Sequence, residues 1–448
     1  MGAAGQELLD LVDEPDPFVF DLEEILPRQL KAAQEHFEQH RDKIGLLNRR
    51  AEEAGIDTIE SLEDVVPLLF SHTVYKSYPQ SFVTNGQWDR LLQWYDSLAG
   101  QNVGDVDVDG VETIDDFAER LVQAGWLPHV TSGTSGRVSL LHNTDRDRLR
   151  AMRIGGKTVG YPRPVGVGAG MRYYGLTPSR GYSKHVEHGH NIANSVGRPD
   201  AIRFLTDEPM LPSQVARVAE IRTRMSNGTV TPEELAAFEA EAKKRTERHA
   251  ETLREMAADI IEHRHEPMVI MGLWSQHWSI MQQAREAGVG DGEFHPDSLI
   301  YTGGGLKGIP LPPDYREQLY GFYGDTRRYQ AYNMSENDPT APMCEAGRYH
   351  QPPWVMWLIL DQPGEQLVEV RGGIADGRFA FLAFNYEGRW GGLISGDHVQ
   401  VDYGPCPCGR SGPTVIDTVV RYSEQEGGDD KIGCAGSMEA YLRGVVQV

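Results

Sequence analysis

Thr131-Ser132-Gly133-Thr134-Ser135-Gly136-Arg137 separates two apolar segments, Trp126-Leu127-Pro128-His129-Val130 and Val138-Ser139-Leu140-Leu141. The pattern predicts a strand, a tight polar loop and a second strand. Two glycines let the backbone approach a ligand closely. Successive N–H groups and the hydroxyls of Thr131, Ser132, Thr134 and Ser135 then face one small volume. Arg137 adds positive charge, so the concavity suits an anion, most obviously a polyphosphate. Taken alone, such a loop is more often a plain polar hairpin turn. It is not a Walker A loop, because Gly133 and Gly136 are too close and no Gly-Lys-Ser/Thr follows.

Downstream, the chain changes character at Glu266. Met268-Val269-Ile270-Met271-Gly272 reads as a buried strand, Ile280–Ala287 as a helix, and Ser298-Leu299-Ile300-Tyr301-Thr302 as a second strand. A helix from Asp314 to Phe322 and a short strand into Tyr332 follow. This alternation implies α/β architecture, with a largely parallel sheet and ligand loops at the strands' carboxyl ends. Three such ends carry chemistry. Gly303-Gly304-Gly305 is a bare-backbone turn able to lie against a flat base. Tyr332-Asn333-Met334-Ser335-Glu336 offers an aromatic ring, a hydroxyl and a carboxylate. Ser395-Gly396-Asp397 follows another strand and offers a carboxylate to vicinal hydroxyls.

Upstream, residues 17–60 carry helical periodicity, and Thr113-Ile114-Asp115-Asp116 has the form of a helix N-cap. Thr231-Pro232-Glu233-Glu234 opens the clearest helix, with an N-cap, a first-turn proline and acids at the positive dipole end. Its charged composition suggests a solvated helical insertion over about 214–263. His185, His188 and His190 read as loop residues rather than metal ligands. Tyr173, Tyr174, Trp274 and His277 suit either the pocket of a flat or long apolar acid or an ordinary core.

Asp and Glu number 66 against 43 Lys and Arg, a net charge of −23, which disfavours a free-standing nucleic-acid binder. No apolar run approaches the ~18 residues of a spanning helix. The start is acidic, unlike a signal peptide. The expectation is a cytoplasmic protein with no membrane and no nucleic-acid partner. Four cysteines make no disulfide framework. Cys344-x5-His350 and Cys406-x-Cys408, however, have the make-up of a closed structural zinc site. The alternative is two unrelated pairs of reduced cysteines.

In their order and spacing the four motifs resemble the adenylate-forming superfamily of acyl-CoA synthetases, adenylation domains and luciferases. The nearest likeness is to the phenylacetate-CoA-ligase-like branch and the related acyl-protein synthetases, over about Asp64 to Asp430. The resemblance implies a multi-lobed adenylate-forming core over 1–422: a helical part to about 125, then nucleotide-binding sheets over 126–422. A hinge and stub would occupy 423–448. It implies ATP with Mg²⁺, the phosphates on Thr131 to Arg137, with Thr134 and Arg137 taking part in catalysis. Adenine would lie along Gly303, Gly304 and Gly305 and stack on Tyr332 beside Asn333. Ser335 would face the α-phosphate and Glu336 hold magnesium. Asp397 would bind the ribose, with Arg421 as the accompanying arginine, although Val420 stands where a glycine is usual. Some members of that branch carry a similar Cys and His set. A carboxylic acid would be activated as its adenylate, and the acyl group passed to CoA, a carrier-protein thiol or an amine. A homodimer is compatible with this reading.

The chain departs from the resemblance at its end. A small C-terminal domain usually follows the hinge and supplies a lysine; here only a stub follows Asp429-Asp430-Lys431. Lys431 is the candidate replacement. In acyl-protein synthetases a cysteine near the C-terminus takes the acyl group, and Cys434 is its candidate counterpart. A catalytically silent nucleotide- or partner-binding relative is the remaining alternative.

Overall fold

A computed structural model describes residues 1–132, 137–304, 310–425, 430 and 432. The described residues group into two compact units. The first takes residues to 132, 137–151 and those from 332 onward; the second takes 152–304 and 310–331. The architecture is mixed α/β. Among the described residues, no helix is long and apolar enough to cross a membrane.

The first unit opens with helices, including Leu22–His40, Gly45–Ala54, Trp88–Asp96 and Ile114–Gln123. The last is closed by a capping box in which Thr113 and Asp116 satisfy each other's backbone N–H. Strand β1 (Phe70–Ser71) leads into a 3₁₀ turn, Val74–Lys76. The hairpin strands β2 (His129–Ser132) and β3 (Val138–Leu141) then pair antiparallel, Ser132 opposite Val138. The polar loop thus sits between two strands, as its flanks require.

In the second unit β4 (Met171–Pro178), β5 (Gly197–Thr206), β6 (Met268–Leu273), β7 (Leu299–Gly303) and β8 (Arg327–Tyr329) form one parallel sheet. Their order is β5-β4-β6-β7-β8. The connections leave β4 and β6 toward opposite edges, so the switch point lies between these two strands. It is filled. Gln276 donates to the Leu176 carbonyl at 2.6 Å and accepts from the Leu273 N–H at 2.8 Å. A Cβ at Gly272 would come within 2.5 Å of the Leu176 side chain, so only glycine fits.

The long helix Pro232–Glu262 buries Leu253, Met256, Ala257 and Ile260, one face of its last turns. Each large side chain so buried is worth about 1.5–3 kcal/mol. Most of its charged first half is exposed, as the composition suggested. Tyr173, Tyr174, Trp274 and His277 are buried, and their surroundings are those of a core. His185, His188 and His190 belong to the helix Lys184–Val196, not to a loop. Ser183 caps that helix, its hydroxyl accepting from the Val186 N–H, a start that the glycine at 189 masks in the sequence.

The remaining strands return to the first unit. A short antiparallel pair, β9 (Ala331–Met334) and β10 (Asn337–Pro342), precedes β11 (Arg348–His350), β12 (Val355–Leu360), β13 (Ile374–Ala383), β14 (Gly392–Asp402), β15 (Thr414–Ile416) and β16 (Val420–Arg421). The main path is β11-β15-β14-β13-β12, with β1 and β16 also on β14. Tyr332 therefore does not end a parallel-sheet strand. The expected single strand divides at Gln330, and Tyr332 lies in a hairpin arm.

His277 links stability to pH. Its Nε2–H donates to the Tyr301 carbonyl at 3.2 Å, and Nδ1 accepts from the Tyr323 hydroxyl at 2.9 Å. Burial lowers its pKa from 6.5 to about 4, so the unfolded chain takes up the proton first. The stability it contributes is full above pH ~6.5 and is lost as pH falls toward ~4. In urea unfolding, His277→Gln should flatten the loss of stability between those limits; an unchanged slope would contradict this assignment.

Candidate functional site

The central strand of the first unit is irregular where chemistry was expected. Arg378 pairs with His398 and Ala380 with Ile394, so Phe379 alone stands against Ser395, Gly396 and Asp397. The Ser-Gly-Asp motif is thus a bulge inside β14 and does not follow the strand, and bulges re-aim side chains. Its unpaired backbone groups are satisfied locally. The Ser395 hydroxyl donates to the Phe379 carbonyl at 2.7 Å and accepts from the Asp397 N–H at 3.1 Å. The buried Arg378 donates to the Ser395 carbonyl at 2.9 Å and to Asp430 at 3.0 Å. A Cβ at Gly396 would lie 3.0 Å from the Asp430 carboxylate, which leaves little room for a side chain.

Asp397 is the focus of the bulge. The Tyr332 hydroxyl donates to its Oδ2 at 2.8 Å, and Arg421, opposite it in register on β16, has Nε 3.6 Å from Oδ1. Burial, then the Asp397 charge, pushes the Tyr332 phenol well above its ordinary pKa, so it remains a donor. Its ring packs edge-on to Phe379 at 5.2 Å and against Tyr349 at 6.0 Å. Residues 332, 397 and 421 therefore meet at one carboxylate. The phenol–carboxylate bond itself was not foreseen from sequence.

Ser335 and Glu336 form the turn joining β9 to β10, with Asn333 exposed on β9. The Glu336 carbonyl accepts from Arg389 at 3.1 Å and from the Tyr386 hydroxyl at 3.4 Å. Lys76 and Arg137 share this electrostatic neighbourhood. Burial lowers the Lys76 pKa; Glu336 and Asp430 oppose that shift, whereas Arg137 and Arg421 reinforce it. Arg137 donates to the Tyr78 carbonyl at 2.8 Å, and the Tyr78 hydroxyl donates to the Val138 carbonyl at 3.0 Å. The exit of the polar loop is thereby clamped to the turn carrying Lys76.

Thr131 lies on β2, as does the backbone of Ser132. Gly133, Thr134, Ser135, Gly136, Gly305, Lys431 and Cys434 lie outside the described residues. Gly303 ends β7 in the second unit and Gly304 follows it in a bend, with a φ of +73° that favours glycine. Sequence reasoning overlooked Lys76, Arg378, Tyr386, Arg389 and Asp430. Apart from Asp430, which falls in the hinge-like Asp429-Asp430-Lys431, none stands in a recognisable motif. A lone arginine in a strand or aromatic loop signals nothing until its acceptors are known.

The cysteine reading is carried by geometry. Ligand atoms of Cys344, His350, Cys406 and Cys408 all lie within 4.8 Å of one another. Cys344 Sγ is 3.7 Å from Cys406 Sγ, and Cys408 Sγ is 3.5 Å from His350 Nε2. Two turns of the same build present the thiols. The Cys344 N–H donates to the Arg348 carbonyl at 2.9 Å and the Gly347 N–H to the Cys344 carbonyl at 3.0 Å. Cys406, Gly409 and Arg410 repeat this at 3.0 and 2.8 Å. Gly347 and Gly409 have φ of +72° and +89°, which explains the shared Cys-x-x-Gly spacing, a repeat legible in the sequence.

The donor set can hold a metal such as zinc. Burial, then the Arg410 charge, lowers the His350 pKa to about 4, leaving the imidazole neutral as a ligand must be. Burial pushes Cys406 up to about 12 and raises Cys344. Burial also opposes ionisation of Cys408, but hydrogen bonds from Arg410 and the neighbouring thiols outweigh it. Thiolates with a neutral imidazole around a cation make a closed structural site. Asp259, Glu262 and His263 also cluster, but on a partly exposed helix face where Asp259 pairs with Arg203 at 3.0 Å.

No family model and no curated protein matches the chain.

Protein purified without chelator should carry about one zinc per chain, as expected for a closed four-ligand site. Cys406→Ser should abolish that content and lower the melting temperature. Metal analysis returning no zinc in the wild type would contradict the assignment.

Proposed function

We propose that the chain activates a carboxylic acid with ATP, forming an acyl-adenylate and pyrophosphate, and then transfers the acyl group to CoA, a carrier thiol or an amine. The observation that carries this reading is the meeting of Tyr332, Asp397 and Arg421 at one bulge. Residues of three separated motifs supply an aromatic ring, a carboxylate and a cation within a single unit. The Asp397 carboxylate, met at one oxygen by the Tyr332 hydroxyl and at the other by Arg421, can also accept from vicinal ribose hydroxyls.

The reaction joins two anions, since an acid carboxylate attacks the α-phosphorus while pyrophosphate leaves. The chain must therefore gather positive charge and orient the reactants in line. Lys76 and Arg137 bring that charge near Glu336. Glu336 is the carboxylate suited to Mg²⁺, which typically takes one or two carboxylates and completes its shell with phosphate oxygens and water. Bound there, the ion would neutralise charge on the phosphates. The bonds from Arg389 and Tyr386 hold the Glu336 backbone in place. The cysteine and histidine cluster lies on the two stretches following Glu336 and Asp397, so a structural zinc would brace both.

ATP–pyrophosphate exchange, run across a panel of aryl and alkyl acids, tests the reading. Exchange should appear with at least one acid and fall about 100-fold or more in Glu336→Ala, the scale for losing a transition-state contact. Asp397→Asn should raise the KM for ATP about tenfold with a smaller effect on kcat, as expected of a binding contact. No exchange with any acid, or full exchange in Glu336→Ala, would overturn the proposal.

A further inference from the structure

Arg389 is buried among neutral acceptors from two distant parts of the first unit. One terminal nitrogen donates to the His142 carbonyl at 3.1 Å and to the Asn143 side-chain oxygen at 2.5 Å. The other donates to the Glu336 carbonyl at 3.1 Å. The guanidinium carbon lies 3.7 Å from the Tyr386 ring centroid, and the Tyr386 hydroxyl also donates to the Glu336 carbonyl, at 3.4 Å. His142 and Asn143 immediately follow β3, the strand that leaves the polar loop.

The segment carrying Arg389 is itself fixed. The N–H groups of Glu387 and Gly388 donate to Asp147 at 2.8 and 3.1 Å, and a Cβ at Gly388 would meet Asp147 and the His142 carbonyl at 2.9 Å. Burying a guanidinium is unfavourable unless its donors are engaged with good geometry. Here its rigid fork spans the end of the hairpin and the Glu336 turn at once, which a flexible ammonium cannot reproduce. Two donors on one carbonyl fix the peptide plane that follows Glu336, and hence the direction in which its side chain leaves the backbone.

We infer that Arg389, assisted by Tyr386, is a positioning residue that sets the Glu336 carboxylate for a divalent cation in register with the polar-loop hairpin. The inference rests on the adenylation reading but names residues outside every motif that suggested it. Arg389 acts through the backbone and contacts no substrate.

The test is Mn²⁺ binding, followed by electron paramagnetic resonance, to the full chain with α,β-methylene-ATP. Variants Arg389→Lys and Tyr386→Phe are compared with wild type, alongside melting temperature, zinc content and metal-free nucleotide affinity. Arg389→Lys should weaken Mn²⁺ about tenfold, the lower end for losing an outer-shell partner. Tyr386→Phe, which keeps the ring beneath the guanidinium, should weaken it by about twofold to threefold with melting unchanged. Mn²⁺ affinity unshifted in both variants, with exchange activity present in the wild type, would overturn this role alone. A wild type that binds no Mn²⁺ with the nucleotide and shows no exchange would overturn the adenylation reading and this role with it.

Discussion

The bulge at Ser395-Gly396-Asp397 is the constraint from which the rest of the site follows. A regular strand would point Ser395 and Asp397 to the same face and leave them in the ladder. Three residues opposite one break the alternation and free backbone groups that must find partners inside the sheet. Ser395 supplies one partner through its own hydroxyl, and Arg378 supplies another. Gly396 leaves space for Asp430. Each residue of the motif has a mechanical reason before it has a chemical one.

The same economy governs the two other features. Arg389 and Tyr386 hold Glu336 by its carbonyl, so the carboxylate is not consumed in fixing its own position. The two Cys-x-x-Gly turns aim their thiols by backbone hydrogen bonds, and β11 brings His350 between them through its pairing with β15. Buried charge is unfavourable in isolation, and Arg389 is completed by protein acceptors. The Cys344, His350, Cys406 and Cys408 cluster is one that a metal ion could complete.

Much of the architecture was legible in the chain. The alternation after Glu266 announced the parallel strands, Thr113 and Thr231 announced their helices, and the polar loop announced its hairpin. Misreadings arose where pattern and packing diverge. A short strand was expected to run into Tyr332, yet the chain leaves the parallel sheet at Gln330. Ser395-Gly396-Asp397 read as following a strand, because glycine between polar residues commonly marks a strand's end, whereas flanking pairing keeps it within β14. The aromatics near 173 and 274 could have lined a pocket; burial makes them core. The supporting residues Arg378, Arg389 and Lys76 were invisible, because their significance lies in partners far away in sequence.

The central claim is that the bulge presents Asp397 to the sugar of a nucleotide. A crystal structure of the protein with α,β-methylene-ATP and Mg²⁺ tests it most directly. The account requires the ribose hydroxyls on the Asp397 carboxylate, beside Tyr332 and Arg421. A nucleotide bound elsewhere, with Asp397 still holding only Tyr332 and Arg421, would contradict it.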